Sequence, residues 1–365
     1  MAGLDWSTES CWRRSRLDPE APRDLPQADL IALLEHLGDV DPQGWERRWR
    51  QRSATDLASD AWARGASADW LWALGLPLLT LAEQLESRGT RHLIGLSALP
   101  GCGKSSLGRW LEGAASQLGL SLQVVSIDDF YLDAAGLDLA MQGNPWGVPR
   151  ALPGSHDLPL LLDRLSAWRQ GKQPNLPMFD KTLRQGRGDR CGWRPCPARI
   201  LLLEGWFVGC EPLAAGQPIS AGSEHLLPPL SAEELRYRQT VQDQLRTYAP
   251  VWSSLDALWQ LQALDFTSSR LWKQDQEATM QQTSGVSLDR RELEGFTRMI
   301  MAAIPAVSFQ LPSADVVFDI DVQRRLRRIR IGPDQLSSSS VSRTCLLYTS
   351  PSPRDRLLSR MPSSA

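Results

Sequence analysis

Two kinds of pattern alternate along this chain. Short unbroken apolar runs at 92–97, 121–127, 198–203, 255–264 and 315–320 predict strands covered on both faces. Between them, apolar residues recur every three or four positions at 104–117, 158–170, 231–248, 267–282 and 288–301, which predicts helices. Such alternation predicts an α/β domain, three layers deep, around a mostly parallel sheet. The 315–320 run is expected to be its last core element.

The ends of the chain differ from this middle. Helical periodicity at 29–37, 45–64 and 69–86, with Pro77 starting or kinking the last of these, predicts a helical N-terminal extension over 1–90. The main domain is then 91–332. Residues 333–365 have a serine run, two closely spaced prolines and no periodicity. They are expected to be disordered and read as a non-native tail, like a translated adapter or a frameshift.

Candidate chemistry sits where the first strand meets the first helix of the main domain. Residues 92–107 read HLIGLSALPGCGKSSL. Gly101 and Gly103 permit backbone shapes that a side chain blocks, and Lys104, Ser105 and Ser106 open a helix whose free amides favour an anion. This is a phosphate-binding P-loop: the backbone of Gly101, Cys102 and Gly103 cradles phosphates, Lys104 reaches the β/γ oxygens, and Ser105 holds Mg²⁺. The first glycine of the G-x-x-x-x-G-K-[ST] pattern is replaced by Ala98.

Acids end two later strands. Asp128 and Asp129 follow the second strand, at the sheet edge where ligands bind in open α/β folds, placed to meet Mg²⁺ or a substrate hydroxyl; the other reading is that one of them caps the next helix. Glu204 ends the third strand, the pattern of a second nucleotide motif that holds Mg²⁺ directly or through water. The Pro- and Gly-rich stretch 143–157 carries Arg150, His156 and Asp157 and reads as a substrate loop, in which Ser155 or Asp157 also suits a helix cap. Residues 178–190 read as a flexible glycine loop whose Lys181, Arg187 and Arg190 close over phosphates. A capping-box pattern begins at Ser231.

Composition narrows the class. A formal net charge of −2 gives no nucleic-acid footprint, and no apolar run is long enough to span a bilayer. The six cysteines are scattered; Cys191 and Cys196 lack partners for a zinc site, and a reducing cytoplasmic setting is the default. Fifteen tryptophans, several crowded before residue 75, point to core packing.

Taken in order, the loop, Asp128-Asp129-Phe130-Tyr131, Gly154-Ser155-His156-Asp157, Phe179-Asp180-Lys181, Gly186 to Arg190 and Leu203-Glu204-Gly205-Trp206-Phe207 resemble the D-glycerate 3-kinases of cyanobacteria and plant chloroplasts. That family belongs with the phosphoribulokinase and uridine kinase group of P-loop kinases. The resemblance covers 70–331 and implies a P-loop NTPase fold, ATP and Mg²⁺ as cofactors, and phosphorylation of D-glycerate to 3-phosphoglycerate, the closing step of the photorespiratory glycolate pathway. It implies Asp128 as general base and Ala98 as a tolerated loop variant; Asp129 and Glu204 are assigned to the metal or its waters, and Arg150 and His156 to the glycerate carboxylate, since an arginine fork suits a planar carboxylate. Ala151 stands where many relatives have glycine. Another small-molecule kinase, acting on uridine, pantothenate or a sugar phosphate, is the alternative within enzymes, with Tyr131 and Trp146 as stacking aromatics. A non-catalytic ATP-binding regulator is the alternative outside them. Oligomeric state is left open.

Overall fold

Strand β1, His92–Ala98, lies inside a six-stranded sheet of the computed structural model, which describes residues 26–61, 68–224, 226–284 and 289–332. The other strands of this sheet are β2 (Leu122–Ser126), β5 (Ile200–Gly205), β6 (Ala257–Ala263), β7 (Val316–Ile320) and β8 (Leu326–Ile331). Their order is β2-β5-β1-β6-β7-β8, and only β8 runs antiparallel to its neighbour. All five strands expected from the apolar runs are present. Every residue of β5 and β7 is buried, as an unbroken apolar strand between helical layers requires.

The helices α4 (Lys104–Gln117), α6 (Leu158–Arg169), α7 (Ala232–Thr247), α8 (Ser268–Ser284) and α9 (Arg290–Ala302) match the predicted periodic segments. At α7 the capping box is complete: Ser231 Oγ accepts from Glu234 N at 3.1 Å, and Glu234 Oε2 accepts from Ser231 N at 2.8 Å. A short α5 (Ala134–Ala140) is capped by Asp133, so neither Asp128 nor Asp129 serves that purpose.

Three expectations are corrected. The sheet does not end at 315–320, because β8 adds a further strand; its arginines at 327, 328 and 330 gave no apolar run to read. The helix expected over 45–64 stops early, since α2 spans Pro42–Gln51 and a chain of turns follows to residue 61. Residues 178–190 are not one loop: β3 (Asn175–Asp180) and β4 (Asp189–Pro195) pair as an antiparallel hairpin, leaving only 181–188 at its tip. Pro177 and Gly192 interrupt its alternation, which a two-stranded ribbon with two free edges tolerates. The tail expected to be disordered lies outside the described residues.

The N-terminal helices share the core of the main domain. In α1 (Gln27–His36), Asp29 Oδ2 accepts from Ile329 N at 2.9 Å, and Asp69 Oδ2 accepts from Leu326 N at 2.9 Å. Two carboxylates therefore satisfy amides on the outer edge of β8, an edge otherwise open to another strand. Trp45 and Trp49 both donate to Thr80 Oγ1 of α3 (Leu76–Arg88), at 2.8 and 3.2 Å, and all three are buried. Pro77 follows a π-helical turn, Leu71–Gly75, that runs directly into α3, so the wide turn stands where Pro77 has no N–H to give.

Candidate active site

The phosphate loop leaves the carboxyl end of β1. Ala98 is still a strand residue, in register with Leu261 and buried. Its extended backbone accepts a Cβ, which is the physical reason this position dispenses with glycine. Gly101 is different. Its φ is +76°, and an added Cβ would stand 2.6–2.8 Å from backbone atoms of Trp272 and Lys273 in α8. Gly103, at φ +121°, turns the chain into α4. Lys104 is buried and its ammonium donates to Ala98 O at 2.7 Å and to Leu99 O at 3.3 Å, while Ser105 faces the cleft. The Cys102 side chain points inward, and burial raises its thiol to about 11, which keeps the reactive thiolate scarce. Behind the loop, Arg324 of the β7–β8 turn donates through Nε to Gly101 O at 3.0 Å, and Trp70 Nε1 donates to Arg324 O at 2.7 Å.

The facing wall is assembled from separate segments. Glu204 lies in β5 directly between Leu96 of β1 and Ser126 of β2. Asp128 and Asp129 occupy a 3₁₀ turn, Ile127–Phe130, where Ser126 Oγ accepts from Asp128 N at 3.3 Å. The 143–157 stretch is brought alongside by Leu132 N donating to Ser155 O at 3.0 Å and Asp157 N to Phe130 O at 2.8 Å. His156 thereby stands behind Asp128, with Nε2 at 3.9 Å from Asp128 Oδ1. From the hairpin tip, Lys181 Nζ donates to Asp128 Oδ2 at 2.7 Å. Ser105, Asp128, Asp129, Lys181 and Glu204 meet in one cleft of about 240 Å³, together with Arg109, Glu112, Phe179 and Arg194.

Electrostatics divide these acids. Burial works against the Asp128 carboxylate, but Lys181 and His156 outweigh it and hold its pKa well below the usual range. Asp129 goes the other way: burial raises it to about 6 despite Arg194. Glu204 is raised as well, by burial first and by the charge of Asp128, against the pull of Lys104 and Lys181. Burial lowers His156 although Asp128 favours its charged form.

Of the phosphate-loop residues only Ser105 lines the cleft, and five residues singled out by sequence beyond the loop do not line it. Arg150 donates to Gly186 O at 2.5 Å and so ties the substrate loop to the hairpin tip. Asp157 caps α6 through Leu160 N and accepts from Arg190 at 2.8 Å; Arg190 also donates to Tyr131 O at 3.0 Å. Arg187 and Arg184 both pair with Asp138 at 2.7 Å on the surface. His156 backs Asp128 from the interior. In return, sequence reasoning overlooked Arg109, Glu112, Phe179 as a wall residue, Arg194 and Tyr248. Arg109 and Glu112 lie one helical turn apart on α4, a spacing legible once the loop was located. Tyr248, 92 residues from the histidine it contacts, left no local signal.

No family model matches the chain. It is 29% identical over 214 residues to the uncharacterized kinase mug58 of Schizosaccharomyces pombe, covering 54% of this chain and 74% of that protein. It is 28% identical over 254 residues to the chloroplastic D-glycerate 3-kinase of Arabidopsis thaliana, covering 64% of this chain but only 53% of that protein. Among solved structures, the D-glycerate 3-kinase of Cryptococcus neoformans superposes with a TM-score of 0.58 at 22% identity, over 68% of this chain and 95% of that one, a likeness of fold. Among the described residues no helix is long and apolar enough to cross a membrane. A phosphate loop and an acidic cleft stand at the carboxyl edge of a parallel sheet, and the chain is similar to kinases, D-glycerate 3-kinases among them, which supports a P-loop phosphotransferase.

Proposed function

We propose that the protein transfers the γ-phosphoryl group of ATP to the 3-hydroxyl of D-glycerate, giving 3-phosphoglycerate. The observation that carries this reading is Asp128: a carboxylate kept ionised by Lys181 in the same cleft as Ser105 of the phosphate loop. An ionised carboxylate beside the transferred phosphoryl group takes the proton of an attacking alcohol. In this reading the loop amides and Lys104 hold the β/γ-phosphates. Ser105 and Glu204 offer hard oxygen donors for Mg²⁺, which binds mainly through substrate phosphates with one or two protein oxygens. Bound there, the ion neutralises charge on the phosphates. Asp128, which the motif also offers as a metal ligand, has one oxygen committed to Lys181 and is assigned the base. Asp129 assists at the waters of the metal. Arg150 steadies the hairpin tip over the site, while Arg187 and Arg190 fix that hairpin through Asp138 and Asp157.

Substrate size and charge support glycerate. The cleft is small, and among its four acids it carries Lys181, Arg109 and Arg194 as cationic partners for a short carboxylate-bearing alcohol. A nucleoside asks for free aromatic faces. Tyr131 is buried and stacked on His156, with ring centroids 4.6 Å apart, and Trp146 is buried and donates to Glu234 at 3.0 Å. The similarity to the Arabidopsis D-glycerate 3-kinase points the same way.

The test is ADP release measured with D-glycerate, L-glycerate, uridine, pantothenate and ribulose 5-phosphate in turn. Turnover with D-glycerate well above the others is the expected result. ADP release that needs no acceptor points instead to a regulator, and preference for another acceptor overturns the substrate assignment.

A further inference from the structure

Behind Asp128 the structure holds a chain of contacts that the proposed reaction does not use. Tyr248, just past the end of α7, is completely buried. Its hydroxyl accepts from Gly154 N at 3.0 Å and lies 2.7 Å from His156 Nδ1. A phenol carries one proton. With the Gly154 amide already donating to the oxygen, the phenol proton is directed at Nδ1. A neutral His156 then carries its own proton on Nε2, the nitrogen that faces Asp128 Oδ1. Those two atoms are 3.9 Å apart, too far for a hydrogen bond, and both are buried with no partner among the described residues.

We propose that Tyr248 is a positioning residue that fixes His156 as its Nε2–H tautomer, so that an N–H and not a lone pair faces the buried oxygen of Asp128. The Nε2 proton turned toward Oδ1 attracts the carboxylate from behind the cleft, while Lys181 holds its other oxygen. The inference rests on the kinase reading, in which Asp128 takes the proton of the acceptor alcohol. In the transfer, the alcohol oxygen bonds to the γ-phosphorus, the bond from that phosphorus to the ADP oxygen breaks, and the alcohol proton passes to the Asp128 carboxylate. His156 keeps its proton throughout. The imidazole is held by Tyr131 stacked at 4.6 Å, Phe207 edge-on at 5.6 Å and Tyr248 edge-on at 5.8 Å, and the charged groups acting on it are Asp128 and Lys181.

The test begins with long-range ¹H–¹⁵N NMR of the intact protein at neutral pH. The chain has four histidines, so a His156→Gln variant identifies the His156 signals. The expected spectrum of the parent is the Nε2–H tautomer, and Tyr248→Phe should turn it into a mixture. An Nδ1–H tautomer or an imidazolium in the parent overturns the proposal, whatever the substrate proves to be. Kinetics supply the second arm. Tyr248→Phe should lower kcat with D-glycerate roughly tenfold while leaving KM for ATP unchanged. His156→Gln, whose amide reproduces the Nε2–H donor, should retain about tenfold more kcat than His156→Asn, whose amide does not reach. Equal losses in the two His156 variants would reject the donor role even if Tyr248→Phe fails to fold. An Nε2–H tautomer in a protein inactive on D-glycerate upholds the positioning role, and sinks the glycerate assignment alone.

Discussion

The two walls of the cleft are built on opposite plans. The phosphate wall comes from one contiguous stretch, residues 98–106, and presents backbone groups whose shape is enforced by glycine and by close packing of α8 against Gly101. The acceptor wall presents side chains from positions 128, 181 and 204, backed from the interior by 156 and 248, and these are carried by a turn, two loops, a strand and a helix end. Backbone amides bind phosphate with little dependence on the identity of neighbouring side chains. Recognition of an acceptor needs charge and hydrogen bonds at set points in space, and those come from whichever segments the fold brings there. The plan explains why kinases with similar loops act on different acceptors, and it says where each wall will break.

The largest effect is expected at Lys104→Ala. Removing the one cation of the phosphate wall should lower kcat by roughly 10³-fold with the thermal midpoint little changed. Near-parental turnover in a steady-state assay would remove the loop from the chemistry. Next comes Gly101→Ala. The added Cβ collides with the backbone of α8 and the positive φ disfavours it, so nucleotide affinity should fall at least about tenfold and stability by roughly 2 kcal/mol. Calorimetric titration with ATP and a denaturant melt read the two effects separately. A variant that binds ATP normally would mean that the approach of α8 is not needed to shape the loop.

The acceptor wall should respond through charge. Asp129 ionises near 6 in the folded protein and near 4 in an unfolded chain. Between those values the folded state holds the extra proton, so stability falls as pH rises through this window. Asp129→Asn removes that fall: its advantage over the parent should be nil near pH 4 and reach at most about 3 kcal/mol above pH 6. Urea melts across the window check the sign, and an advantage that shrinks with rising pH would contradict it. The smallest effect is expected at Ala151. It has φ +81°, a left-handed conformation for a residue with a Cβ, and its carbonyl is held by Trp206 Nε1 at 2.8 Å. Relief of that strain by Ala151→Gly should add about 1 kcal/mol, a rise of a few degrees in Tm. Glycine is thus the unstrained choice at this position, and unchanged or lower stability would show the backbone to be comfortable as it is.

Legibility in the sequence followed the same division. The parallel strands were readable because burial on both faces demands unbroken apolar runs, and the α7 cap because Ser231 and Glu234 do their work three residues apart. The β3–β4 hairpin was not, since Pro177 and Gly192 mask its alternation, and β8 was not, because arginines fill a strand whose outer edge is covered by Asp29 and Asp69. Lys181 was recognised as a loop cation, but its pairing with Asp128 across 53 residues was beyond local reading.

By itself, the sequence determined the layered α/β fold, the phosphate loop and the acids at the strand ends. These depend on periodicity, glycine and the reach of a few consecutive residues, which are local properties of a chain. Only the tertiary structure decided that Ala98 is harmless in a strand while Gly101 is indispensable beside α8, that Arg190 and Arg187 hold the hairpin, and that Tyr248 stands behind His156 and Asp128. Contacts between distant segments carry no periodicity, because they are fixed by how the whole chain packs.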